Sequence, residues 1–119
     1  MADCKALATE TAKQMSIPEN AVIIGSAGVI GANLPMDKMV LGIGKLAKQL
    51  GNTPADATLA AEAIMTTDTV SKQIAFETEI GGKTVRVGGM CKGSGMIHPN
   101  MCTMLAFITT DVKISKEML

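Results

Sequence analysis

Apolar positions recur at helical spacing in the first fifteen residues. Leu7, Ala8, Thr11, Ala12 and Met15 share one face and Pro18 blocks continuation, so the pattern predicts a helix over 2–15. The short apolar run AVIIG at 21–25 reads as a buried strand, and SAGVIGANLP after it as a small-residue loop that lets backbone approach a neighbour closely. Met36, Met39, Val40, Ile43, Leu46, Ala47 and Leu50 predict a helix over 36–50, with Gly51 at the position just past its end. Thr53-Pro54 has the form of an N-cap followed by proline at the first helical position, opening a helix over 54–65 with Leu59, Ala60, Ala63 and Ile64 inward. The period then changes to two: Ile74, Phe76, Thr78 and Ile80 alternate in a strand over 73–80, Gly81-Gly82 suits a two-residue hairpin turn, and 84–87 returns antiparallel. GGMCKGSGMIHPNM reads as a second glycine-rich connection, MLAFIT at 104–109 as a strand buried on both faces, and KISKEML as the start of a helix. The expected class is α+β, with helices packed on a β-sheet, in one domain over residues 1–119 that begins and ends abruptly in helix, as an excised piece of a longer protein would.

Charge narrows the choice of function. Lys plus Arg and Asp plus Glu are 11 each, so no basic excess exists to neutralise phosphates, and no nucleic-acid partner is expected. Two Phe with no Tyr or Trp leave almost no base-stacking platform, and the core must come from Ile, Val, Leu, Ala and ten Met. No apolar run approaches the roughly 20 residues that span a bilayer, and the early charges in MADCKALATETAK do not fit a signal peptide. Cys4, Cys91 and Cys102, with a single His, lack metal-ligand spacing. These features predict a reduced, cytoplasmic protein with no cofactor, no metal and no membrane partner.

Few residues stand out for chemistry. GGMCKGSG brings phosphate loops to mind, but the Lys precedes the second glycine pair and the spacing differs from G-x-x-x-x-G-K-[ST]. His98 before Pro99 is read as a structural hydrogen-bonder, and Asp68 and Asp111, each after Thr-Thr, as turn or cap residues. The informative stretch is 92–111, KGSGMIHPNMCTMLAFITTD: a small-residue loop leads to Thr103 and then directly into an apolar strand. The pattern suits a hydroxyl presented at a strand start, and equally an ordinary threonine opening a strand.

That stretch, with GVIGANLPMDKM at 28–39 and AIMTTDT at 63–69 in the same order, resembles the ornithine acetyltransferase family over essentially the whole chain. The family is also called bifunctional glutamate N-acetyltransferase and amino-acid acetyltransferase. The resemblance implies a segment of a layered αββα sandwich similar to N-terminal-nucleophile hydrolases, within a parent that has further chain on both sides. It implies self-cleavage between Cys102 and Thr103, which makes Thr103 the nucleophile and frees its α-amino group, of pKa about 8, as the adjacent base. Acetyl would pass from N-acetylornithine to Thr103 and then to glutamate, a step of arginine biosynthesis. Lys92 and Thr69 match the family's substrate-binding positions, and Ala27 and Gly28 its oxyanion-hole pair. The parent is expected to work as paired α and β chains in a homo-oligomer.

Two positions depart from the family pattern. Thr is usual at the place of Ala27, and Ala at the place of Cys102. Removing one oxyanion donor typically costs about 2.7–4 kcal/mol. By itself, the 119-residue chain is expected to stay uncleaved at Cys102–Thr103, with the Ala27–Gly28 loop beside that bond and with apolar surface that drives self-association. Two other readings stand beside the acyltransferase: a folded fragment or interaction module without chemistry, and a related threonine-nucleophile amidase or peptidase.

Overall fold

The computed structural model describes residues 1–29, 31–93 and 104–119. They form two compact units, Met1–Asn52 and Thr53–Leu119. Three α-helices and a three-stranded antiparallel sheet place the protein in the α+β class that the patterning predicts.

The first unit contains α1 (Ala2–Met15) and α2 (Met36–Leu46). Leu7 and Ala12 of α1 are buried, at 2% and 6% exposure. Helix α1 stops at Ser16, which takes the left-handed conformation at φ 54°; its N–H donates to Lys13 O and the Ile17 N–H to Ala12 O. These two bonds satisfy end carbonyls that have no partner inside the helix. Helix α2 is shorter than its apolar periodicity. Past Leu46 the chain tightens through N–H bonds from Lys48 to Lys45 O and from Gln49 to Leu46 O, and Leu50 is 65% exposed. Gly51 is not in the left-handed conformation and so does not serve as the expected cap. The strand expected at 21–25 does not form. Val22 has extended dihedrals and Val22 and Ile24 are half-buried, but the described residues of this unit contain no strand for the segment to pair with. Backbone geometry alone does not make a sheet.

The second unit contains α3 (Pro54–Ala63), β1 (Lys72–Ile80), β2 (Lys83–Lys92) and β3 (Leu105–Thr110), in spatial order β1-β2-β3. Helix α3 opens with a capping box: the Asp56 N–H donates to Thr53 Oγ1 at 3.2 Å and the Thr53 N–H to Asp56 Oδ2 at 2.9 Å, with Pro54 at the first helical position. The Thr53 hydroxyl, donating to Asp56 Oδ2 at 2.6 Å, and then the Thr53 N–H hold the Asp56 carboxyl below its usual range. Gly81 and Gly82, at φ 59° and 74°, turn β1 into β2 and set the register Ile80↔Lys83. Residues 88–92, expected in a connection, instead continue β2 to Lys92, because β3 supplies the pairing from Val87↔Thr110 to Lys92↔Leu105. At Gly88 the absence of a side chain matters, since a Cβ there would sit 3.1 Å from Thr109 Oγ1.

Opposed residues of an antiparallel pair share a face. One face carries Gln73, Met90 and Phe107, and α3 packs on this side, with Gln73 Nε2 donating to Thr58 Oγ1 at 2.8 Å. The other carries Ile74, Gly89 and Ile108, then Phe76 and Val87. Here Ile74 is 67%, Phe76 50% and Ile108 77% exposed. The strand at 104–109 is therefore not buried on both faces: α3 covers one side, while on the other Ile108 stays exposed although Val85 of β2 is buried there. Within α3 the residue facing inward is Ala61, at 0% exposure, whereas Leu59 is 64% exposed and Ala60 and Ala63 are exposed. KISKEML makes a single turn, Met118 N–H to Ser115 O, rather than a helix, because a lone turn without packing cannot offset the cost of nucleation. No helix among the described residues is long and apolar enough to cross a membrane.

Candidate functional site

The end of the sheet where β1 begins and β2 finishes is where Thr69 and Lys92, the predicted residues described in the second unit, are found. Lys72 opens β1 opposite Cys91, so Lys92 at the end of β2 lies one step beyond that pair. Thr69 lies three residues before Lys72, on an exposed turn. The turn is tied to the strand end by Asp68: its Oδ1 accepts from Lys72 Nζ at 2.6 Å and from the Gly93 N–H at 2.8 Å. Lys72 Nζ also donates to Val70 O at 3.3 Å, so one ammonium holds both residues that flank Thr69. Thr69 and Lys92, 23 positions apart in the chain, are thereby each one residue from the same carboxylate bridge.

Lys92 is only 4% exposed, a degree of burial that lysine seldom reaches. The Asp68 side chain is 2% exposed, against 45% for Lys72. The Lys72 ammonium, then the Gly93 N–H, hold the Asp68 carboxyl down at about 2, with removal from water acting in the opposite sense. A carboxylate fixed this way stays anionic throughout the physiological range. Its second oxygen, Oδ2, is buried without a hydrogen-bond partner among the described residues.

The remaining predicted residues are placed differently. Ala27 and Gly28 lie in the first unit, exposed, on backbone that is neither helix nor strand, and a Cβ at Gly28 would meet nothing within 4 Å. Cys102 and Thr103, with His98, lie outside the described residues, as does the expected approach of the Ala27–Gly28 loop to the Cys102–Thr103 bond. A mostly apolar cleft between α3 and the sheet, lined by Pro54, Ala57, Thr58, Met90, Phe107 and Thr109, contains none of the predicted residues. Thr69 instead lines a shallow depression with Glu62, Met65, Val70 and Ser71.

Asp68 is the residue that the turn reading of Thr-Thr-Asp undervalued. It does sit at a turn, but it also reaches 25 residues along the chain to Gly93. The available signal was Lys72 four positions later, a charge complement just as the period-two pattern begins. Asp111, read the same way, accepts the Arg86 N–H at 2.8 Å and ends β3 beside the Arg86–Glu77 ion pair, in agreement with a terminating role.

The model of the ArgJ family matches residues 1–119. The chain is 56% identical over 119 residues to the arginine biosynthesis bifunctional protein ArgJ of Listeria monocytogenes serovar 1/2a, covering 100% of this chain and 29% of that protein. It is 53% identical over 106 residues to the chloroplastic ArgJ of Physcomitrium patens, covering 89% and 20%. The crystal structure of arginine biosynthesis bifunctional protein ArgJ from Bacillus halodurans superposes with a TM-score of 0.71 at 47% identity, over 85% of this chain and 52% of that one. The chain thus spans under a third of the length of these curated relatives. With a family model matched from end to end and a fold shared with a solved relative, the chain belongs to the ArgJ family.

Proposed function

We propose that this chain is the central segment of a longer, self-cleaving acyltransferase that moves acetyl from N-acetylornithine to glutamate in arginine biosynthesis. The observation that carries the reading is the Asp68 bridge, which brings the Thr69 turn and the buried Lys92 to one end of the sheet. An ammonium at Lys92 suits a substrate carboxylate, and the Thr69 hydroxyl a hydrogen bond to its polar atoms. Thr103 is the nucleophile in this reading. Cleavage of the Cys102–Thr103 bond frees its α-amino group, which takes the hydroxyl proton as the oxygen attacks the acetyl carbonyl; ornithine leaves, and glutamate then accepts the acetyl group from the threonine ester. Backbone N–H groups at Ala27 and Gly28 would stabilise the oxyanion of each tetrahedral intermediate. The reaction needs no cofactor, and the parent is a cytoplasmic oligomer of α and β chains.

Ala27 favours a second reading, a folded segment with little or no turnover, because alanine offers no side-chain donor where the family motif has threonine. One experiment separates the two. The full-length protein is incubated with N-acetylornithine labelled in the acetyl group and analysed by intact and peptide mass. The acyltransferase reading expects an acetyl adduct on a peptide beginning at Thr103, lost in Thr103→Ala, and a rate increase of about 100–1,000-fold in Ala27→Thr. An uncleaved, unlabelled chain in both the parent and Ala27→Thr would refute it.

A further inference from the structure

A carboxylate that merely closed a turn could keep both oxygens in water. Asp68 keeps neither: its side chain is 2% exposed, Oδ1 is committed to two donors, and Oδ2 lies buried with no partner among the described residues. A buried acceptor that gains no hydrogen bond is a cost that local turn formation does not require. Of the two bonds that Oδ1 accepts, one spans four residues and the other 25. One reaches the Gly93 N–H, directly after Lys92, and the other fixes Lys72, whose ammonium continues to Val70 O on the far side of Thr69. A Cβ at Gly93 would press on the bridge, since it would come within 3.1 Å of Asp68 Oδ1, with Lys72 Nζ at an ordinary 3.9 Å. A buried carboxylate, a bracketing lysine and a glycine that admits them meet where the turn that carries Thr69 is tied to the Lys92–Gly93 end of β2.

We propose that Asp68 is a positioning residue for substrate: through Oδ1 it holds the Thr69 turn against the Lys92–Gly93 end of β2, and so sets the spacing of the two side chains that grip N-acetylornithine. This rests on the acyltransferase reading above. Asp68 contacts no reacting atom in the scheme. Its removal leaves Thr69 and Lys92 in place as residues but frees the turn from the strand, and a displacement of about 1 Å at a positioning group can lower the rate a hundredfold.

The test uses the full-length protein with Asp68→Ala, Asp68→Asn and Gly93→Ala. Asparagine keeps an acceptor for the Gly93 N–H but loses the charge that holds Lys72. The expected result is a rise in KM for N-acetylornithine of about tenfold to a hundredfold in Asp68→Ala with a smaller change in kcat, partial recovery in Asp68→Asn, and an intermediate defect in Gly93→Ala. Amide hydrogen exchange at Gly93 should accelerate in Asp68→Ala in step with KM. If Asp68→Ala does not fold, the asparagine and glycine variants carry the comparison. An Asp68→Ala enzyme within twofold of the parent in KM, or a Gly93 amide equally protected in all variants, overturns the proposal. The Gly93 exchange reports on the bridge whether or not acetyl is transferred. An inactive parent with an Asp68-dependent Gly93 amide therefore counts against the acyltransferase reading alone, whereas an active parent indifferent to Asp68 counts against the positioning role alone.

Discussion

Replacing Gly82 by valine tests whether the hairpin turn fixes the strand register that places Lys92. Gly81 and Gly82 sit at φ 59° and 74°, where an L-residue crowds its own Cβ against the backbone. Neither glycine has a neighbour within 4 Å of its Cβ position, so a substitution there meets open space and its effect is conformational. The left-handed state costs an ordinary residue about 1–2 kcal/mol, and a β-branched one is the least suited to it. Asparagine tolerates that conformation and is the control. The chain has no Trp or Tyr to report by fluorescence, so urea unfolding is best followed through the methyl resonances of Val85, which is buried at 6% exposure in β2. With an m value of about 2 kcal/mol/M, the valine variant should unfold at a midpoint lowered by roughly 0.5–1 M, with m unchanged and the asparagine variant close to the parent. The register runs from Ile80↔Lys83 to Lys72↔Cys91, so a one-residue slip would exchange the faces of Lys92 and Cys91. A valine variant as stable as the parent, or an asparagine variant as damaged as valine, would show that the turn does not set the register.

Other outcomes follow from the same structure. Thr53→Ala removes the hydroxyl that accepts the Asp56 N–H and donates to Asp56 Oδ2, while its backbone N–H bond to Asp56 stays, and should lower stability by about 1 kcal/mol in urea unfolding, with Thr53→Ser close to the parent; an unchanged midpoint would mean that α3 is held by packing alone. The Asp68 carboxyl titrates lower in the folded chain than in the unfolded one, so its contribution is fully present above pH 4 and is lost as pH falls toward 2; Asp68→Asn should flatten the stability profile over that window, and a profile identical to the parent would contradict the bridge. Ile74, Phe76 and Ile108 leave one sheet face apolar and exposed, so the isolated chain should self-associate at micromolar concentration and Ile108→Lys should disperse it, as read by sedimentation across a hundredfold dilution; a monomer throughout would rule this out. Phe107 is the wrong residue for that test, because it lines the cleft beneath α3 and its substitution would disturb folding.

The sequence by itself determined what local chemistry decides. Thr53, Pro54 and Asp56 start α3 through bonds spanning three residues, Gly81-Gly82 makes a turn because two successive left-handed residues need glycine, and the change from helical to alternating period separates the helices from the sheet. The family motif, too, is linear and is legible in the residues alone. Tertiary structure decided everything that depends on a distant partner. AVIIG has strand-like residues but, among the described residues of its unit, no strand to pair with, whereas Gly88–Lys92, unpromising for a strand, becomes one because β3 lies alongside. Period two marked the apolar face of β1 but could not say that α3 would cover the other side and leave Ile74 and Phe76 open. Asp68 shows the limit most clearly: as a residue after Thr-Thr it is one of many turn aspartates, and only the fold brings it to Gly93, 25 residues on, where burial and a lysine turn it into the bridge between Thr69 and Lys92.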